Sequence, residues 1–183
     1  MKKSIIVIFL LLISSIVAFA DNPLRLKSGT LATLKTKGGL ISCSFDFSKT
    51  KANRKPLKQF IVEDYHSDME TFRRYEIEML EWFCDKWDED IEEGPHAVTK
   101  EGENLELKVV VKTLQMGTKA GWGGASISGY AEFYEKGSSE PFAIVEILKM
   151  NGTQLGGAMS GYVGLKQVFS DLAEHLCDLI YHY

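Results

Sequence analysis

Residues 162–180, YVGLKQVFSDLAEHLCDLI, are the stretch that decides the fold, because they form the clearest amphipathic pattern of the chain. Large apolar residues recur there at steps of three and four, the spacing that puts side chains on one face of an α-helix. The apolar positions are Tyr162, Leu165, Phe169, Leu172, Leu176 and Leu179. Lys166, Gln167, Asp171, Glu174 and Asp178 fill the other side. The pattern predicts a helix that lies with its apolar face on a sheet.

Three stretches upstream of this helix alternate between apolar and polar residues, a pattern typical of strands with one buried face. They span residues 105–112, 127–134 and 142–148. The turn-forming residues 135–140 join the last two strands into a hairpin.

The N-terminal half is predicted to hold a β-hairpin and a long helix. Residues 31–48 are expected to form the hairpin, with residues 38–39 (Gly-Gly) supplying the positive φ of its turn. Polar residues 49–58 are expected to be a loop. The helix is expected to begin at the capping box of residues 67–70 (Ser-Asp-Met-Glu) and to end at residues 94–95 (Gly-Pro).

The predicted order of elements is therefore ββαβββα. The chain has 183 residues, of which 45% are hydrophobic and 25% are charged, and this length and composition suit one globular domain. We expect an α+β fold in a single domain over residues 21–183, arranged as a two-layer sandwich. In it, a mostly antiparallel sheet of about five strands carries two helices on one face.

The N-terminus has the features of a cleaved signal peptide, predicted over residues 1–20. Lys2 and Lys3 precede an apolar run, and residues 18–20 (Ala-Phe-Ala) match the small-x-small cleavage pattern. An uncleaved anchor is the alternative, but the span from Ile5 to Ala20 holds 16 residues, fewer than the roughly 20 that cross a bilayer. We therefore expect a periplasmic or secreted protein with no stable membrane insertion after cleavage. The mature chain has 163 residues and a formal net charge of −6.

Cys43, Cys84 and Cys177 are an odd number of cysteines for an exported protein. All three fall on the apolar sides of the predicted elements, where a cysteine acts as a small hydrophobic residue. The exported setting also permits one disulfide, such as Cys84–Cys177, and the sequence leaves both possibilities open.

Charge is unevenly distributed along the chain. Residues 21–58 carry a net charge of +7 and residues 59–106 carry −12. One interpretation is a dipolar molecule that steers a partner, and the other, which we favour, is two solvated surfaces that partly neutralise each other. The overall acidity, with a pI near 5.6, argues against nucleic acid as a partner.

The sequence lacks the motifs of the common catalytic and metal sites. It has no HExxH, CxxC or GxSxG motif, and its glycine-rich stretches lack the Gly-Lys-Ser/Thr of a P-loop. The acidic run of residues 85–93 does not match an EF-hand, because Gly94 comes one place late and Thr99 replaces the bidentate Glu. We expect no catalytic residues, no metal and no cofactor.

Trp122 is the candidate binding residue, because it lies among glycines between two predicted strands, and loop aromatics often anchor ligands. Tyr130 and Tyr134 share one face of the following strand and could extend Trp122 into an aromatic patch. Alternatively, Trp122 folds back over the sheet and the tyrosines cover its open face.

A resemblance to known proteins extends over almost the whole mature chain. It is carried by residues 26–29, 45–48, 107–117 and 123–133, by the Trp-bearing acidic helix and by the final helix. They resemble a family of uncharacterised small exported proteins of Bacteroides-type bacteria. The layout is also similar to the N-terminal domain of the Tol-system propeller protein and to lipoprotein activators of peptidoglycan synthases. That similarity implies a protein that binds other envelope proteins and is not an enzyme. This chain lacks the lipid-attached cysteine of those lipoproteins, so outer-membrane anchoring does not carry over.

The leading functional hypothesis is a non-enzymatic exported module that binds another protein of the cell envelope. The alternative is a protein that binds a small ligand or a glycan through the glycine-rich Trp122 loop. A hydrolase is the third hypothesis, which an apolar pocket holding a carboxylate of perturbed pKa would favour.

Overall fold

The computed structural model describes residues 22–99, 104–116, 124–152 and 161–182. Within these ranges the chain forms eight strands: β1 (Leu24–Gly29), β2 (Leu40–Asp46), β3 (Lys51–Ala52), β4 (Lys55–Pro56), β5 (His96–Val98), β6 (Leu105–Gln115), β7 (Ser126–Glu135) and β8 (Ala143–Asn151). The helices are α1 (Ala32–Thr36), α2 (Leu57–Glu63), α3 (Met69–Asp90) and α4 (Tyr162–His182). The α+β class is confirmed. The signal peptide predicted for residues 1–20 lies outside the described residues.

The strands form one open, mixed sheet in the order β1-β8-β7-β6-β2-β5, and β3 pairs with β6 and β4. The neighbours of β7 and β8 are antiparallel, as predicted, whereas β2 is parallel to both β5 and β6. The prediction of about five strands and two helices was too low, because strands and helices of two to seven residues are too short to show a clear period in the sequence.

The hairpin predicted for residues 31–48 is wrong. Leu31 and Leu34 are fully buried around α1, not on a strand. Gly39 does have a positive φ of 101°, but it joins α1 to β2. A glycine pair predicts a positive φ without saying which element precedes it, and the alternation of β2 suits parallel pairing as well as antiparallel pairing.

The loop predicted for residues 49–58 is also wrong. This segment forms β3, β4 and the first turn of α2. Leu57, Phe60 and Ile61 are buried on α2, and their spacing of three and one was a helical signal that the polar residues before them obscured.

The long helix α3 begins one residue later than predicted and ends earlier. Its N-cap is Asp68, whose carboxylate accepts a hydrogen bond of 2.6 Å from the Thr71 amide. The helix ends at Asp90, and the chain then turns so that the fully buried Trp87 donates from its indole nitrogen to the Pro95 carbonyl at 2.9 Å.

Helices α3 and α4 pack on one face of the sheet. On β6, Leu105, Leu107 and Val109 point into the core and are at most 1% exposed. On β2, the Phe45 ring lies 5.7 Å from the Phe83 ring of α3 and 4.3 Å from the Phe169 ring of α4. The predicted apolar stripe of the last helix is therefore confirmed as part of the core.

Cys43, Cys84 and Cys177 are all free and buried. Cys43 Sγ donates to the Ile41 carbonyl at 3.9 Å, and Cys177 Sγ donates to the Trp87 carbonyl at 3.7 Å. The three thiols therefore serve as small core side chains. No helix within the described ranges is long and apolar enough to span a membrane.

Candidate functional site

Tyr130 and Tyr134 lie on the face of β7 that is turned away from the helices, and both are half-buried. Lys27 Nζ lies 4.4 Å from the centre of the Tyr130 ring. The Tyr134 hydroxyl donates to Glu132 at 2.6 Å, and burial together with this carboxylate raises the pKa of Tyr134 to about 12. Each tyrosine therefore already has a partner within the chain.

Trp122, the third residue of the predicted aromatic patch, lies outside the described residues. Its grouping with Tyr130 and Tyr134 stays a prediction. The structure points instead to a surface at one end of the sheet, around the hairpin formed by β3 and β4.

The β3–β4 hairpin is held against the end of β6. Lys51 and Ala52 pair in parallel with Thr113 and Leu114, and the Asn53 amide donates to the Leu114 carbonyl at 3.1 Å. The buried Thr50 hydroxyl donates to the Val111 carbonyl at 2.6 Å. Strand β3 follows shortly after the end of β2, and the two strands pair in parallel with β6 one after the other along its length. The hairpin therefore has a defined position at the sheet's end.

The turn of this hairpin is formed by two residues with positive φ, Asn53 at 47° and Arg54 at 73°. Two-residue hairpin turns with positive φ at both central positions favour Asn followed by Gly. Arg54 stands where glycine would be the least strained residue, and its side chain is exposed.

A cleft of about 550 Å³ lies between this hairpin and the first half of α3, and we call it the hairpin cleft. Apolar side chains form its floor, and charged side chains surround them. The floor consists of Phe47, Leu57, Met69 and Phe72. The charged lining residues are Lys49, Lys51, Lys58, Arg73 and Glu76.

A second cleft of about 780 Å³ lies on the other side of the hairpin, and we call it the sheet-end cleft. Its lining includes Lys51, Arg54, Gln115, Ser126 and Lys149. Lys51 lines both clefts, so the two lie next to each other on either side of β3.

Six exposed cations surround the two clefts, and we call them the basic rim. They are Lys49, Lys51, Arg54, Lys58, Arg73 and Lys149. None of them forms an ion pair with a carboxylate among the described residues. Nearby lysines differ, since Lys55 lies 2.6 Å from Asp64 and 3.6 Å from Glu63. The basic rim is thus a concentration of positive charge with no ion pair among the described residues, although Glu76 lies in the same cleft as Arg73.

Glu76 is the single carboxylate among the described residues that line the hairpin cleft. It is half-buried, and burial raises the pKa of its side chain, an effect that Arg73 one turn earlier partly opposes. A poorly solvated carboxylate in a cleft lined by four cations can accept hydrogen bonds from a ligand and repels an anion placed directly over it.

The described lining residues do not combine a nucleophile with a base. In the sheet-end cleft, the Thr113 and Ser128 hydroxyls bond each other at 2.5 Å, and Ser126 donates to Gln115 at 3.4 Å. The described residues that line the sheet-end cleft include no histidine and no carboxylate that could act as a base for these hydroxyls. Across the described ranges, no three His, Cys, Asp or Glu side chains converge as metal ligands would. The arrangement suits binding of an anion.

Fold and surface together define an α+β protein with a basic, partly apolar surface at one end of its sheet. No family model and no curated protein matches the sequence. Among solved structures, the chain is similar to a PelC dodecamer from Paraburkholderia phytofirmans, with 11% identity, a TM-score of 0.41, and coverage of 83% of this chain and 96% of that one. A PelC variant dodecamer from the same organism gives 10% identity, a TM-score of 0.41 and coverage of 84% and 95%. Similarity this low carries no argument about function.

The basic rim was missed by sequence reasoning, although one signal for it was present. The sequence shows that residues 21–58 are strongly basic, and the interpretation favoured above is that the basic and acidic surfaces partly neutralise each other. In the structure the acidic residues Asp64 and Asp46 pair with Lys55 and Lys108, while the six rim cations have no such partner within the described residues.

Proposed function

We propose that this chain is a non-catalytic binding module, exported to the periplasm or beyond the cell, that binds an acidic surface of another envelope protein. The observation that supports this proposal is the basic rim around two adjacent clefts. Exposed cations that form no ion pair among the described residues attract an anionic partner over long range and fix its orientation at short range. The predicted export of the chain favours a partner in the cell envelope over a nucleic acid, and among envelope anions we propose an acidic protein surface.

The test is capture of partners from a native envelope extract by chemical crosslinking, comparing two charge-reversed proteins. Lys51→Glu with Lys58→Glu reverses two rim cations. Lys27→Glu with Lys37→Glu makes the same change in net charge away from the clefts. This control also removes the exposed Lys37–Glu135 ion pair and the contact of Lys27 with Tyr130, so a loss of crosslinks in the control would point to the Tyr130 face instead of the rim. We expect the rim variant to lose specific crosslinks that the wild type and the control variant retain, and the crosslinks to weaken in 0.5 M salt as exposed charges are screened at roughly this concentration. Identical crosslinks in all three proteins would rule the proposal out.

A second candidate function, binding of a small ligand or a glycan, is favoured by the sheet-end cleft. Its volume of about 780 Å³ lies within the range of small-molecule sites, roughly 300–1,000 Å³, and hydroxyl and amide groups line it. Strands β6 and β7 border it, and the segment with Trp122 joins these two strands. A glycan array probed with wild type and Trp122→Ala tests this candidate. A neutral glycan that depends on Trp122 but not on Lys51 or Lys58 would support it over the first.

A further inference from the structure

The hairpin cleft combines an apolar floor with a charged margin, and this combination restricts the chemistry of its occupant. Phe72 is 1% exposed and Leu57 is 6% exposed, so both belong to the core and only their edges reach the cleft. The Phe47 ring packs edge-on against Phe72 at 5.2 Å between ring centres. An apolar side chain placed on this floor would exchange water for aromatic and aliphatic contacts.

Four cations surround that floor from two directions. Lys49, Lys51 and Lys58 belong to the segment from the end of β2 to α2, and Arg73 faces them from α3. A ligand lying across the cleft would therefore meet positive charge on both sides of its apolar centre. This arrangement matches carboxylates on either side of a bulky apolar group.

The edge of the sheet at this point does not offer a backbone ladder to a ligand. The strand β4 has two residues, and the second is Pro56, which has no amide hydrogen to donate. Recognition in this cleft must therefore come from side chains and not from addition of a strand.

We propose that the hairpin cleft binds a short acidic peptide segment of the partner in which one bulky apolar side chain rests on the floor of Phe47, Leu57 and Phe72 while flanking carboxylates contact Lys49, Lys51, Lys58 and Arg73. This inference rests on the proposed function and names the partner's chemistry. Glu76 is half-buried in the same cleft and repels a carboxylate that approaches the end of the cleft where Glu76 lies. It therefore limits how many acidic residues of the segment can bind there.

Fluorescence anisotropy with labelled peptides of the form acetyl-Asp-Glu-X-Glu-Asp-amide, where X is Phe, Leu, Ala or Ser, tests this inference on the full mature chain. We expect binding of the Phe and Leu peptides and at least about tenfold weaker binding of the Ala and Ser peptides, because their side chains bury little apolar area. Lys51→Glu with Lys58→Glu should weaken the Phe peptide about tenfold, and Glu76→Gln should strengthen it about threefold. Lys27→Glu with Lys37→Glu should leave it within twofold.

Several results would overturn the inference. One is equal binding of the Phe and Ala peptides, and another is an affinity for the Phe peptide that is unchanged in the rim variant. If no peptide binds at 1 mM while crosslinking to envelope proteins still depends on the rim, the inference fails and the proposed function stands. Sedimentation of the wild type as an oligomer that the rim variant dissociates would assign the cleft to the acidic α3 of a second copy instead.

Discussion

Arg54 occupies a backbone conformation that suits glycine, so Arg54→Gly is expected to stabilise the fold while it removes one cation of the basic rim. Its φ of 73° lies in the left-handed region, which costs a non-glycine residue about 1–2 kcal/mol. Glycine also has more conformational freedom in the unfolded chain, which lowers the free energy of unfolding by about 0.5–1 kcal/mol and offsets part of the strain that is relieved. The net increase in the free energy of unfolding is about 0.5–1 kcal/mol, equivalent to about 1–4 °C in melting temperature.

Urea unfolding followed by far-UV circular dichroism measures this difference. Lys49→Gly is the matched control, because it removes the same charge from a neighbouring turn at a residue without positive φ. That control should lose about 0.5–1 kcal/mol, since it gains unfolded-state freedom and relieves no strain. If Arg54→Gly were no more stable than the wild type, or if both variants shifted equally, the argument from backbone conformation would be refuted. The same variant should crosslink its partner less well than the wild type, which would separate the stability of the turn from its proposed role in binding.

Three further changes test the core, the thiols and the surface charges. Trp87→Phe leaves a gap in the core and removes the hydrogen bond to the Pro95 carbonyl, so the free energy of unfolding should fall by about 2–4 kcal/mol in urea; a loss below about 1 kcal/mol would contradict the packing described. The neighbouring Cys84 and burial raise the pKa of Cys43, and burial raises that of Cys177, so Ellman's reagent at pH 8 should react with none of the thiols in the native protein and with three in urea; fast native reaction would show that the thiols are accessible. Lys108, 2.8 Å away, and the Ser48 groups hold the pKa of Asp46 well below its usual range, so the stability this carboxylate supplies is present above about pH 4 and is lost as the pH falls below it. Between pH 5 and pH 2, Asp46→Asn should therefore lose less stability than the wild type, and parallel curves would contradict this linkage.

The elements that were predicted well are those long enough to show their own period. Helix α4 repeats its apolar residues over about five turns, and strands β6, β7 and β8 alternate between buried and more exposed positions over six to eight consecutive residues. Such lengths reveal which face is buried because burial follows the geometry of the element. Helix α1 has five residues, and each of β3 and β4 has two, so that packing and not periodicity determines their structure.

The candidate site depends on residues that are distant in sequence. The β3–β4 hairpin brings together Arg73 of α3, Lys51 of β3 and Lys149 of β8. They lie around it only because β3 pairs with β6 and α3 lies beside the hairpin. Trp122 attracted attention in the sequence because a tryptophan among glycines stands out locally. A cleft has no local signal of this kind, since no one segment contains both its floor and its rim.

By itself, the sequence determined the α+β class, the last helix, the three long strands and the excess of positive charge in residues 21–58, because each is a property of one segment. Tertiary structure alone decided which of those charges are neutralised. Lys51 and Lys55 lie four residues apart on the two strands of one hairpin, yet Lys55 pairs with Asp64 while Lys51 lines both clefts without a carboxylate partner among the described residues. Charge pairing falls off over a few ångströms, so the path of the chain in space, and not its order, separates a neutralised lysine from one that faces a partner.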